Sequence, residues 1–124
     1  MCPTIAVVGA SSDRSKYGNR CVRAYMRRGW QVFPVNPRAS TVEGLPSYPS
    51  VTDVPVAKLD RVSIYLPPRL ALPLLGDIAS KPAGEVWFNP GADAPEVIKQ
   101  ARDLGMNAVT GCSIVAVGES PFGV

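Results

Sequence analysis

Histidine is absent from this chain of 124 residues. Its absence removes the commonest general base, any phosphohistidine intermediate and most metal sites. Cysteine is scarce. Cys2, Cys21 and Cys112 are too few and too scattered for a zinc cluster or a disulfide framework, and a reduced, cytoplasmic setting is expected. No apolar run approaches the length of a membrane span, and no basic region leads into an apolar stretch near the N-terminus. Neither a membrane anchor nor a signal peptide is therefore expected. No Gly-Lys-Ser or Gly-Lys-Thr occurs, so the P-loop pattern is missing. The net charge is only +3, and much of it comes from Arg20, Arg23, Arg27 and Arg28 on one stretch. Such a cluster reads as a solvated helix face, and no nucleic-acid partner is expected. No repeat is visible, and the length suits one domain over residues 1–124 with a core of its own.

What is abundant is proline, 13 residues of it, placed mainly where strands should end. That pattern predicts stiff, defined loops. Ile5 to Val8 reads as a strand buried on both faces, and it stops at Gly9. Ser11, Ser12 and Asp13 follow, and a helical pattern runs from Tyr17 to Arg28, with Cys21, Val22, Tyr25 and Met26 on one face and the arginines on the other. A strand, a small-residue turn and a helix start together make an anion site, since free N–H groups and the helix dipole converge there. Gln31 to Val35 is expected as the second strand, ended by Pro34 and Pro37. The stretch 39–58 is loop-rich, with a short edge strand near Val42 to Leu45 and one helical turn within Asp53 to Lys58. Arg61 to Leu66 is a strand stopped by Pro67-Pro68, and Leu70 to Ala79 a helix with Pro73 in its first turn. Glu85 to Phe88 is a strand. A helix follows, capped by Asp93 with Glu96 completing a capping box, and it ends at Gly105. Ala108 to Thr110 is a final short strand, Cys112 to Gly118 extends it or packs near it, and Ser120 to Val124 is expected to fray.

Strands alternating with helices predict an α/β protein with a doubly wound, mostly parallel sheet and helices on both faces. Ligands of such sheets bind at the carboxyl ends of the strands. Four loops meet there: Gly9 to Ser12, Pro34 to Arg38, Leu66 to Arg69 and Asn89 to Ala92. The dinucleotide fingerprint would place further glycines at positions now held by Ser11 and Arg14, and an acid at the end of the second strand, where Asn36, Pro37 and Arg38 stand. An arginine there suits a phosphate on the ribose. Coenzyme A is the first candidate ligand and NADP the second. Lys16 is a further candidate phosphate contact. Tyr17 is a candidate for stacking against a ligand or for packing in the helix. Cys112 reads as a core residue, with a redox or thioester role as the alternative.

Val8-Gly9-Ala10-Ser11, then Tyr17-Gly18, then Gly29-Trp30-Gln31-Val32-Phe33-Pro34-Val35-Asn36-Pro37-Arg38 resemble the small stand-alone CoA-binding proteins. These are similar to the N-terminal domain of the succinyl-CoA synthetase α subunit. The resemblance runs from about Ile5 to Cys112 and implies a Rossmann-like domain that binds CoA or an acyl-CoA. It implies that Gly9, Ala10 and Ser11, with Ser12 beside them, face the CoA phosphates. It places Asn36, Pro37 and Arg38 at the adenosine phosphate end, Leu66, Pro67 and Pro68 along the ligand, and Asn89, Pro90 and Gly91 in the far loop. Many relatives carry Arg-x-Pro where this chain has Tyr65-Leu66-Pro67, and Gln-x-Gly near Asn89-Pro90-Gly91. The synthetase also uses a histidine from a second domain, so its ligase chemistry is not expected of this sequence. Three functions remain open: a CoA-binding module without evident catalysis of its own, an NADP-dependent reductase, and an interaction domain that has lost its ligand site. A homodimer is compatible with edge strands in so small a chain.

Overall fold

The computed structural model describes residues 2–124. In chain order the elements are β1 (Thr4–Val8), α1 (Tyr17–Arg27), β2 (Gln31–Val35), β3 (Thr41–Val42), β4 (Leu45–Pro46), β5 (Leu59–Ile64), α2 (Pro68–Ala71), α3 (Leu75–Ser80), β6 (Ala83–Phe88), α4 (Pro95–Asp103), β7 (Ala108–Thr110) and α5 (Ser113–Ala116). Five strands form a parallel sheet in the order β2-β1-β5-β6-β7, and β3 and β4 pair as a separate antiparallel hairpin. This is the Rossmann-like α/β fold that the sequence implies. The chain leaves β1 first toward β2 and later returns to β5 on its other side. The strand order therefore reverses at β1/β5, which opens a crevice above their carboxyl ends.

Residues alternate across the sheet and build two apolar layers. Ile5 and Val7 pack with Cys21, Val22 and Tyr25 of α1 and Ile114 of α5. Ala6 and Val8 face the other way, in the layer that holds Val62, Ile64 and Phe88 with Leu75, Ile78, Val97 and Ala101 of α3 and α4. A strand with helices on both sides has no solvent face, which is why β1 reads as a continuous apolar run. Among the described residues no helix is long and apolar enough to cross a membrane.

Several local expectations need correction. Pro34 does not end β2 but lies within it, opposite Val7. β2 is at the sheet edge, and the Pro34 carbonyl faces outward to accept the Tyr48 N–H at 3.0 Å. The missing proline N–H is thus lost from the open side, not from the β1 ladder. The strand expected near Val42 to Leu45 is the turn of the β3–β4 hairpin, with Glu43 (φ 50°) and Gly44 (φ 78°) both left-handed. Two consecutive left-handed residues match the right-handed twist of paired strands, so the chain folds back there. The helical turn after Asp53 comes earlier, as a 3-10 turn at Val51–Asp53. The helix expected over Leu70 to Ala79 is divided: Pro68 starts α2, a 3-10 turn at Leu72–Leu74 takes in Pro73, and α3 follows. Pro95 opens α4, so Asp93 falls outside the helix. Its carboxylate accepts the Gly91 N–H at 3.2 Å, and Ala94 makes no side-chain cap.

The apolar stretch after β7 forms α5, whose backbone turns back over the sheet instead of extending β7. Residues 120–124 do not fray freely. Arg20 donates to the Pro121 carbonyl at 3.2 Å and Arg27 to the Gly123 carbonyl at 3.2 Å. Glu119 accepts from Arg27 at 3.1 Å and from Arg28 at 2.5 Å, and Arg28 holds its carboxyl below the ordinary glutamate value. The arginine face of α1 is therefore largely spent on this chain's own tail.

Candidate functional site

β1 ends at Gly9, whose φ of +89° is one that L side chains rarely adopt. A side chain would also collide, since a Cβ would lie 2.7 Å from the Tyr65 carbonyl oxygen. The turn is tied to both neighbouring strands: Gly9 N–H donates to Val35 O at 3.1 Å, and Tyr65 N–H donates to Val8 O at 2.9 Å. α1 starts unusually close to this turn. A Cβ on Gly18 would run into the Gly9 carbonyl, so only glycine lets the helix and the turn meet.

The loop between them is held by side chains at several points. Ser11 Oγ accepts the Asp13 N–H at 3.0 Å, and Asp13 accepts from the Ser15 N–H at 3.0 Å and its hydroxyl at 2.7 Å. Those bonds from Ser15 lower the Asp13 carboxyl below its ordinary value. Asn36 donates to the Ala10 carbonyl at 2.7 Å and accepts the Arg38 N–H at 2.8 Å, joining the ends of β1 and β2. Asn19, fully buried, donates to the Ser11 carbonyl at 2.8 Å and to Glu43 at 3.1 Å, and accepts from Arg23 Nε at 2.7 Å.

Above the reversal point of the sheet lies a cavity of about 950 Å³. Gly9, Ala10, Ser11, Lys16, Asn36, Pro37, Arg38 and Leu66 line it, so eight residues singled out from the sequence converge. Three loops supply them. The rest are not part of its lining. Ser12 follows the lining residue Ser11 in the same loop and is exposed. Tyr17 begins α1, 47% exposed, with the Arg20 guanidinium 5.1 Å from its ring. Pro67 precedes α2 and Pro68 opens it. Pro90 and Gly91 are exposed in a separate turn.

Asn89 has another task. It is buried, donates to Ser63 Oγ at 2.9 Å and Ile64 O at 3.0 Å, and accepts the Ser113 N–H at 2.8 Å. Ser63 and Ser113 hydroxyls lie 2.7 Å apart, with Cys21 within 3.7 Å of both. This polar knot fastens α5 to β5 and β6. Burial pushes the Cys21 thiol up, which makes it a poor nucleophile.

Sequence reasoning reached the opposite wall only at Arg69, where one of the four loops ends, and missed the rest. Arg69, Leu70, Pro73, Leu74, Asp77 and Ile78 line the cavity from α2, the 3-10 turn and α3, with Pro49, Ser50 and Val51 beside them. The signal was present as two rows spaced by four, Arg69-Pro73-Asp77 and Leu70-Leu74-Ile78. Tyr65 also borders the cavity, and its hydroxyl is 3.2 Å from Ser113 Oγ; burial pushes this phenol well up, so it stays protonated. The cavity has an apolar floor from Val8, Val35, Val51 and Ile78, and a rim bearing Lys16, Arg38 and Arg69. Among the described residues none of these three cations forms an ion pair. An elongated ligand with anionic groups and an apolar arm matches that arrangement.

Residues 3–118 match the profile of a family described as a CoA binding domain. The alpha subunit of ADP-forming acetate–CoA ligase II from Pyrococcus furiosus is 33% identical over 116 residues, covering 85% of this chain and 25% of the subunit. The chain spans a quarter or less of the curated ligases it matches. A solved conserved hypothetical protein from Pyrococcus furiosus superposes with a TM-score of 0.82 at 30% identity, covering 92% of this chain and 98% of that one. The apo form of dinucleotide-forming acetyl-coenzyme A synthetase 1 from Candidatus Korarchaeum cryptofilum gives 0.73 at 29% identity, covering 86% of this chain and 25% of that one.

Proposed function

This chain belongs to the CoA-binding domain family, and from that premise we propose that it binds coenzyme A or an acyl-CoA in the cavity above β1, β2 and β5. The observation that carries the reading is the set of three unpaired cations, Lys16, Arg38 and Arg69, around an apolar floor. CoA brings a diphosphate, a ribose phosphate and a long pantetheine arm. The loop from Gly9 to Ser12, with Lys16, receives the diphosphate. Arg38, exposed at the end of β2, takes the ribose phosphate. The arm runs over Leu70, Leu74 and Ile78. In this reading the chain is a cytoplasmic binding module that senses, carries or buffers its ligand, and Asn89, Pro90 and Gly91 belong to the scaffold.

Calorimetric titration with CoA, dephospho-CoA and NADP tests this. Saturable CoA binding is expected, with dephospho-CoA about tenfold weaker, because one charge-assisted contact is worth about 1.5 kcal/mol or more. Arg38→Ala should bring the two ligands to equal affinity. Full discrimination by the variant removes Arg38 from its role. NADP binding without CoA binding moves the reading to a reductase. Silence from both, with the protein folded and free of carried-over ligand, leaves an interaction domain.

A further inference from the structure

The two asparagines that grip the Gly9 loop do so at consecutive carbonyls: Asn36 at Ala10 and Asn19 at Ser11. A trans peptide is planar, with its N–H directed opposite to its C=O. Fixing the Ala10 carbonyl therefore fixes the Ser11 N–H, and fixing the Ser11 carbonyl fixes the Ser12 N–H. Both N–H groups are turned away from the asparagines, and neither donates to any acceptor among the described residues. Ser11 lines the cavity. Two successive free N–H groups in a loop at the cavity, their peptide planes fixed, are open donors for an anion.

We propose that Asn19 and Asn36 are positioning residues, which aim the Ser11 and Ser12 N–H groups at a phosphate group of the ligand. The inference rests on the binding reading above and deepens it. Each side chain is over-determined in a way a simple spacer would not need. Asn19 uses its amide nitrogen twice and its oxygen once, with Arg23 and Glu43 holding it from either side. Asn36 uses both ends, so the same residue sets the Ser11 N–H and the start of the Arg38 turn.

The test follows individual amides by NMR while CoA, and separately inorganic pyrophosphate, is titrated into wild type, Asn36→Ala and Asn19→Ala. In wild type the Ser11 and Ser12 amide protons should move downfield together. Asn36→Ala should abolish the Ser11 shift and keep that of Ser12, and Asn19→Ala should do the reverse. CoA binding should weaken about tenfold in each. A purely structural role would instead weaken both amides equally and disturb distant ones, such as Val109 in β7. If the buried Asn19→Ala protein fails to fold, Asn36→Ala alone decides. CoA binding that leaves both wild-type amides unmoved overturns the inference but not the proposed function. Pyrophosphate moving them in the asparagine-dependent way, without CoA binding, supports the inference and overturns the choice of CoA. Binding of neither probe overturns both.

Discussion

Tyr25 shows how much one buried group can govern. It is fully buried on the inner face of α1, donates to the Ser113 carbonyl of α5 at 2.8 Å and accepts from Arg61 at 3.0 Å. Burial, opposed in part by Arg61, pushes its pKa up to about 12. A tyrosine in the unfolded chain titrates near 10, so the unfolded state ionises first as pH rises. Stability is therefore whole below about pH 10 and falls between about pH 10 and 12, by roughly 2–3 kcal/mol at the upper end. Urea unfolding at pH 8 and pH 11 should show a lower midpoint at pH 11, and Tyr25→Phe should shrink that difference. A variant that keeps the whole wild-type drop would remove Tyr25 as its source. At this scale the sequence discloses that Gly9, Ser11, Lys16 and Arg38 come together, because residues just after buried parallel strands fall at one end of the sheet. It does not disclose Asn19 or the buried role of Asn89. An asparagine in a helix or a turn looks alike whether its amide meets water or a carbonyl many positions away.

Among the elements, the β3–β4 hairpin joins local strain to the site. Glu43 sits at φ 50°, where asparagine is far better tolerated, yet its carboxylate accepts from Asn19 at 3.1 Å and lies 3.9 Å from Arg14. Glu43→Asn should ease the turn by roughly 1 kcal/mol while removing a support of Asn19. The expected outcome is an unchanged or higher urea midpoint together with several-fold weaker CoA binding. Equal affinity in the variant would make Glu43 a turn residue and nothing more. The strands and the long helices were legible because period and punctuation agree over many residues. The misread segments share one cause: their conformation is decided by a partner. Pro34 is admitted by an edge whose outer neighbour is Tyr48, α5 is ordered by the polar knot around Ser63 and Asn89, and the tail is held by arginines of α1. The far wall of the cavity beyond Arg69 escaped for the same reason, since Leu74 and Asp77 come to line one cavity with the Gly9 loop only after the sheet has formed.

The charge of the whole molecule is modest at +3, and what matters is where it remains unpaired. Arg27 and Arg28 are occupied by Glu119, Lys99 by Asp103, and Arg61 by Glu85. Lys81 caps the Val54 and Val56 carbonyls. Among the described residues Lys16, Arg38 and Arg69 have no such partners, and they stand together around one cavity, all exposed. A polyanionic ligand at that rim would be drawn in by a field that salt can screen. The screening length falls from about 10 Å at 0.1 M to about 3 Å at 1 M ionic strength. CoA affinity should drop several-fold over that range, mainly through slower association, because exposed charges act on encounter more than on the settled complex. Lys16→Met with Arg69→Met should flatten the dependence while leaving urea stability near wild type, since neither side chain has an ion-pair partner among the described residues. Stopped-flow binding at several salt concentrations measures this directly. A wild type whose association rate ignores salt would mean that the phosphates approach by another route, and that the convergence of the three cations is a property of the fold and not of its ligand.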